Sequence, residues 1–208
     1  MTDNRSATNG SQTTAFDTIY NALTSTYGFP VLPAKSPNPH NKDLSHKIAE
    51  LSMHPTLESI LHILNSDLPS AHFLCRHMQN DPAWEGMYIH GILHRVEGDL
   101  ENAKAWYGDV SEKECYESVW GKNGLEAGKD FLDRSGALRQ MQGGDANTEM
   151  AALAELSQKE FNNLTEFCKQ RFGAGVMTDA TQAWAEPSEE LREIAAKMLV
   201  GGEGWRQF

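Results

Sequence analysis

Three residues of this chain stand at spacings that suit coordination chemistry: His90, His94 and Glu97. Separations of four and three residues place their side chains on one face of a helix within a turn or two. Two imidazoles and a carboxylate so arranged offer nitrogen and oxygen donors to a divalent ion, with zinc, iron and manganese as fitting metals. His72 or His77, from the segment before, can supply a further imidazole. The residues from Trp84 to Glu97 sweep a wide apolar arc on a helical wheel, and His90, His94 and Glu97 form the polar strip that this arc leaves over. The strip reads equally simply as the solvent face of an otherwise buried helix, and the helical metalloprotease string His-Glu-x-x-His is absent.

A second constellation suits an anion. His72 and Arg76 lie one helical turn apart, and the forked guanidinium donors match a carboxylate, so His72, Arg76 and Arg95 are the candidate ligand-binding residues for a small acidic ligand. The alternative is that Arg76 makes a surface pair, for instance with Asp81 or Glu85. His77, beside Phe73, reads as a packing residue and only weakly as a ligand. Other catalytic signatures are missing: there is no Gly-x-Ser-x-Gly elbow, no phosphate-binding Gly-x-x-x-x-Gly-Lys, and Gly173-x-Gly175 lacks the third glycine of a dinucleotide turn. Cys75, Cys115 and Cys168 are odd in number and widely spaced, which suits buried thiols in a reducing, cytoplasmic setting rather than a disulfide framework or a thiolate zinc site.

The elements that must position these groups are helical. Leu and Ala number 40 against 13 for Val plus Ile, and no stretch alternates apolar and polar residues long enough for a half-buried strand. The 208 residues suffice for one sizeable core. The expected fold is a single irregular all-α domain of about seven to nine helices. Residues 1–14 read as a disordered start, 15–28 as a docking helix closed by Gly28 and Pro30, 29–42 as a Pro-rich linker and 43–208 as the all-α body. Asp81-Pro82 reads as an N-cap and first helical residue of a helix to Glu97, stopped by Gly98. Asp99 caps the next helix, and Ser111-x-x-Glu114 reads as a capping box for a short one. Gly143-Gly144-Asp145 reads as a break before an amphipathic helix from about Thr148 to Arg171, and a last helix is expected from Ser188, with Trp205 and Phe208 packing back.

Charge is uneven along this frame. The chain carries a formal −11, and residues 81–117 hold nine acids against three bases, a net −6. So acidic a balance, with no large Lys/Arg cluster, argues against nucleic acid as a partner, and no stretch approaches the ~18 apolar residues of a membrane span.

Within that acidic segment, Tyr88 to Tyr107 resembles one tetratricopeptide-repeat hairpin. Gly91 with His94 three residues on, the stop at Gly98-Asp99, and Ala103 with Tyr107 four residues on stand where the repeat pattern has its landmarks. The match covers about residues 84–110 and departs from the pattern at Met87, His90 and His94, which replace the Trp, Leu and Tyr positions. The resemblance implies an antiparallel helix pair working through a protein partner or small ligand. The string His94 to Ala103 is also similar to one in uncharacterised fungal helical proteins, which implies a group and no activity.

Overall fold

The structure, a computed structural model, describes residues 14–33, 36, 38–187 and 189. Of the expected disordered start at 1–14, Thr14 is instead the N-cap of α1, accepting the Asp17 N–H, and residues 1–13 lie outside the described residues, as do the helix from Ser188 and the packing of Trp205 and Phe208. The described part is all-helical: α1 (Ala15–Tyr27), α2 (Lys42–Glu50), α3 (Pro55–Leu64), α4 (Leu68–Arg76), α5 (Trp84–Glu97), α6 (Leu100–Val110), α7 (Glu114–Trp120), α8 (Leu125–Leu138) and α9 (Gly143–Phe172), then a short 3-10 turn at Ala180–Ala183. Among the described residues no helix is long and apolar enough to cross a membrane.

The helices surround α5, which is buried on nearly every face from Glu85 to Val96 because α3, α4, α6 and α7 all pack on it. A helix apolar around most of its circumference belongs in such a place. Its start differs from expectation. Asp81-Pro82 is a cis peptide inside a turn closed by Ala83 N–H to the Asn80 carbonyl at 2.8 Å, so α5 begins only at Trp84, with Ala83 at the N-cap and no side-chain cap. Its end is as expected: Gly98 adopts the left-handed conformation at φ 94°, and Asp99 caps α6 by accepting the Asn102 N–H at 3.2 Å. Only two residues separate α5 and α6, so they fold back as a helical hairpin. Gly91 makes that hairpin close. A Cβ there would stand 2.9 Å from both the Trp106 Cβ and the Tyr107 ring, so any side chain at position 91 would push α6 away.

Two further ends are corrected. Ser111 closes α6 and donates its hydroxyl to the Gly108 carbonyl, leaving α7 to start at Glu114 without a side-chain cap. Gly143 and Gly144 open α9 rather than break it, and the interruption falls at 139–142 instead.

One polar cluster lies in the centre. Arg95 and Glu160 are both fully buried and pair at 2.6 Å between α5 and α9. Tyr88 and Tyr107 donate their hydroxyls to Glu160 Oε1 at 3.0 and 2.5 Å, and Trp120 donates its indole N–H to the Tyr88 oxygen at 2.7 Å. The Pro30 carbonyl accepts from Arg95 at 2.6 Å and from Ser157 at 2.8 Å, and Val31 is buried beside it. The front of the Pro-rich stretch is thereby tied to the core, and Phe16, Tyr20 and Leu23 bring α1 into the same apolar mass.

Breaking a buried pair leaves one uncompensated charge in the interior, which costs about 3–5 kcal/mol. Glu160→Leu and Arg95→Met are each expected to lower stability by about that amount in urea unfolding, with the double substitution costing clearly less than the two losses added. Additive losses would show that the pair is not the unit described.

Candidate metal centre

On the side of α5 turned toward α4 the histidines meet. Asp67 caps α4 by accepting the Ser70 N–H, and Ala71 and Cys75 bury one face of that helix in the core. This docking lays His72 across the polar strip of α5. The ring of His72 meets His90 edge-on at 5.2 Å between centroids and His94 at 5.3 Å, while His90 and His94 stack on each other at 4.7 Å. From α6, Trp106 stacks on the outer side of His90 at 4.7 Å, a position open to it because Gly91 lets the helices close. His90 is consequently only 4% exposed. The strip is therefore not a solvent face along its whole length: it is covered at His90, half-covered at His94 and open at Glu97.

Each of the three imidazoles can offer one ring nitrogen such that the three atoms lie within 4.8 Å of one another. The Nδ1 atoms of His72, His90 and His94 are all buried and make no hydrogen bond within the structure. Buried polar atoms ordinarily have partners, so three rings that each leave a nitrogen unpaired and that meet within 4.8 Å point to a shared ligand. Glu97 closes the open side, its Oε2 lying 3.2 Å from His72 Nε2 and 3.3 Å from His94 Nδ1. In a tetrahedral zinc site with Zn–N of about 2.0–2.1 Å, nitrogens are roughly 3.4 Å apart, so from 4.8 Å the rings would draw together by up to about 1.4 Å, a rotamer-scale adjustment.

Electrostatics keeps the donors in the required form. Burial holds the His90 imidazole down at about 3, and His94, His72 and Arg76 add to the cost of a positive charge there. Burial also lowers His72, opposed by the Glu97 carboxylate and reinforced by Arg76 and His94. Both rings are thus neutral near pH 7, the state that ligates a metal. Cys75, one turn beyond His72, is no such donor: burial pushes its thiol up to about 12, so it stays protonated.

The structure brings together His72, His90, His94 and Glu97 and leaves the other expected residues apart. His77 ends α4, with its Nδ1 2.8 Å from the Phe73 carbonyl oxygen and its ring against Trp184 at 4.3 Å. Arg95 points the opposite way, into the Glu160 pair, and its guanidinium is closed to a ligand. Arg76 is exposed at the end of α4, with no ion pair among the described residues. Two neighbours were not singled out from sequence. Trp106 covers His90, and Asn102 places its side-chain Nδ2 3.2 Å from His94 Nε2. No spacing rule joins residues 90 and 106, which meet only across the hairpin.

No family model, curated protein or solved structure matches this chain. The site is therefore read from its own geometry.

Because the folded protein holds His90 neutral well below the ordinary histidine value of 6.5, the unfolded chain takes up this proton first as the pH falls. The stability that depends on a neutral His90 is complete above about pH 6.5 and is lost as the pH drops toward 3. Urea unfolding at pH 7 and pH 4.5 is expected to show a smaller difference between the two conditions in His90→Leu than in the unaltered protein. An equal difference would contradict this account of His90.

Proposed function

We propose that this chain is a metal-binding helical protein whose ligands are His72, His90 and His94, with Glu97 completing the set from the exposed side. The observation that supports it most is the convergence of three imidazoles from α4 and α5, with their nitrogens within 4.8 Å and three buried Nδ1 atoms lacking hydrogen-bond partners. An imidazole-rich set suits zinc or iron better than manganese, which prefers oxygen donors. Three histidines with the remaining position at a partly exposed carboxylate also suit an ion that acts as a Lewis acid once water or a substrate oxygen displaces that carboxylate. Glu97, with its side chain 31% exposed, is the ligand at which such an exchange would take place. Partner binding through the α5–α6 hairpin, which the repeat resemblance implies, is the other reading. The metal reading is favoured because three imidazoles and Glu97 meet at one place, which packing of the hairpin does not by itself require.

Protein prepared without a polyhistidine tag is expected to take up about one zinc or cobalt ion per chain and to unfold at higher temperature when loaded. His72→Ala and His94→Ala should each abolish uptake while far-UV circular dichroism stays that of a helical protein. Absence of uptake, with the unfolding temperature unchanged by zinc, cobalt or iron, would overturn the reading.

A further inference from the structure

From the contact between α6 and His94 we infer that Asn102 is the positioning residue of this centre: it holds His94 as the Nε2–H tautomer and so leaves the Nδ1 lone pair, on the Glu97 side of the ring, to ligate an ion. This inference rests on the metal reading for its purpose, though its geometry stands by itself.

A neutral imidazole carries its proton on one nitrogen, and the partner of the other nitrogen decides which. In His94 the two nitrogens have different surroundings. Nε2 lies 3.2 Å from the Asn102 carboxamide. Nδ1 is buried and makes no hydrogen bond; Glu97 Oε2 lies 3.3 Å away. If the carboxamide N–H donated to Nε2, the proton of His94 would sit on Nδ1 and be buried without an aligned acceptor. A half-turn of the amide about its terminal bond places Oδ1 where Nδ2 stood, and Oδ1 then accepts from Nε2–H. The proton then has a partner on Nε2, and the Nδ1 lone pair, beside Glu97 Oε2, is left for an ion that the imidazole and the carboxylate share.

The fold fixes Asn102 for the task. It sits in the first turn of α6, where Asp99 accepts its backbone N–H at 3.2 Å, and the two-residue link from α5 holds that turn beside His94. With Nε2 occupied, Nδ1 is the nitrogen His94 has left to give. A hydrogen bond that orients a ligating histidine in this way also raises its basicity, and losing such a partner typically costs 10–100-fold in metal affinity.

The test compares the unaltered protein with Asn102→Leu, which has similar bulk and no hydrogen bond, and Asn102→Asp, whose carboxylate can only accept. Cobalt titration followed by its visible absorption is expected to show a 10–100-fold weaker affinity for Asn102→Leu and an affinity for Asn102→Asp at least that of the unaltered chain. A loss of less than about twofold in a helical Asn102→Leu, or a loss in Asn102→Asp as large as that in Asn102→Leu, would overturn the role. A second readout needs no metal and no leucine variant. Nitrogen-15 shifts of the His94 ring, in metal-free protein under mildly alkaline conditions, are expected to report Nε2–H both in the unaltered chain and in Asn102→Asp. An Nδ1–H ring in either would overturn the assignment. If the unaltered protein takes up no cobalt, the metal reading fails while this nitrogen measurement still decides the tautomer.

Discussion

The arrangement depends on the buried pair of Arg95 and Glu160. Two fully buried opposite charges 2.6 Å apart tolerate little displacement, because each is compensated only by the other and by the few donors and acceptors around them. Those surroundings recruit most of the molecule. Tyr88 comes from α5, Tyr107 from α6, Trp120 from α7, Ser157 from α9 and the Pro30 carbonyl from the segment after α1. Arg95 thereby fixes the rotation of α5 about its own axis. His94 is its immediate neighbour and His90 lies just over one turn away, so the same pair that fills one side of α5 determines where the histidines stand on the other.

Much of this frame could be read from residue order, and the failures have physical causes. The all-helical class follows from composition, and the Gly98-Asp99 boundary from two local effects, a left-handed glycine and a side-chain cap, that need nothing distant. Asp81-Pro82 and Ser111 carry the same kind of local signal, yet the chain uses neither as a cap. At the first, a turn through Asn80 holds the backbone; at the second, the Ser111 hydroxyl bonds back to Gly108. Local propensity is worth about a kilocalorie per mole, and tertiary packing overrides it. Gly143 and Gly144 show the reverse: glycines that usually end a helix are accepted in its first turn, where they sit exposed.

The candidate site divides the same way. The i, i+4, i+7 relation of His90, His94 and Glu97 is a property of one helix and is visible in the sequence. Which of His72 and His77 joins them depends on how α4 docks, and that is decided by the burial of Ala71 and Cys75 and by Trp184, which lies more than a hundred residues from His77 and takes up its ring. In residue order Arg95 has the marks of a ligand-binding arginine; Glu160, 65 residues on, occupies it instead. Trp106 belongs to the site because Gly91 lets α6 approach closely, and Asn102 because the two-residue Gly98-Asp99 link folds the first turn of α6 back beside His94. The acidic character of residues 81–117 fits this picture, since an excess of carboxylates around a cluster of neutral imidazoles raises the local concentration of cations.

Whether three imidazoles from two helices surround one ion is decided by X-ray absorption at the zinc edge of the loaded protein. The account predicts a first shell of nitrogen and oxygen scatterers at about 2.0–2.1 Å, with the outer-shell scattering of three imidazole rings and no sulfur. A spectrum with one imidazole or none, as for zinc held loosely by surface carboxylates and water, would contradict it.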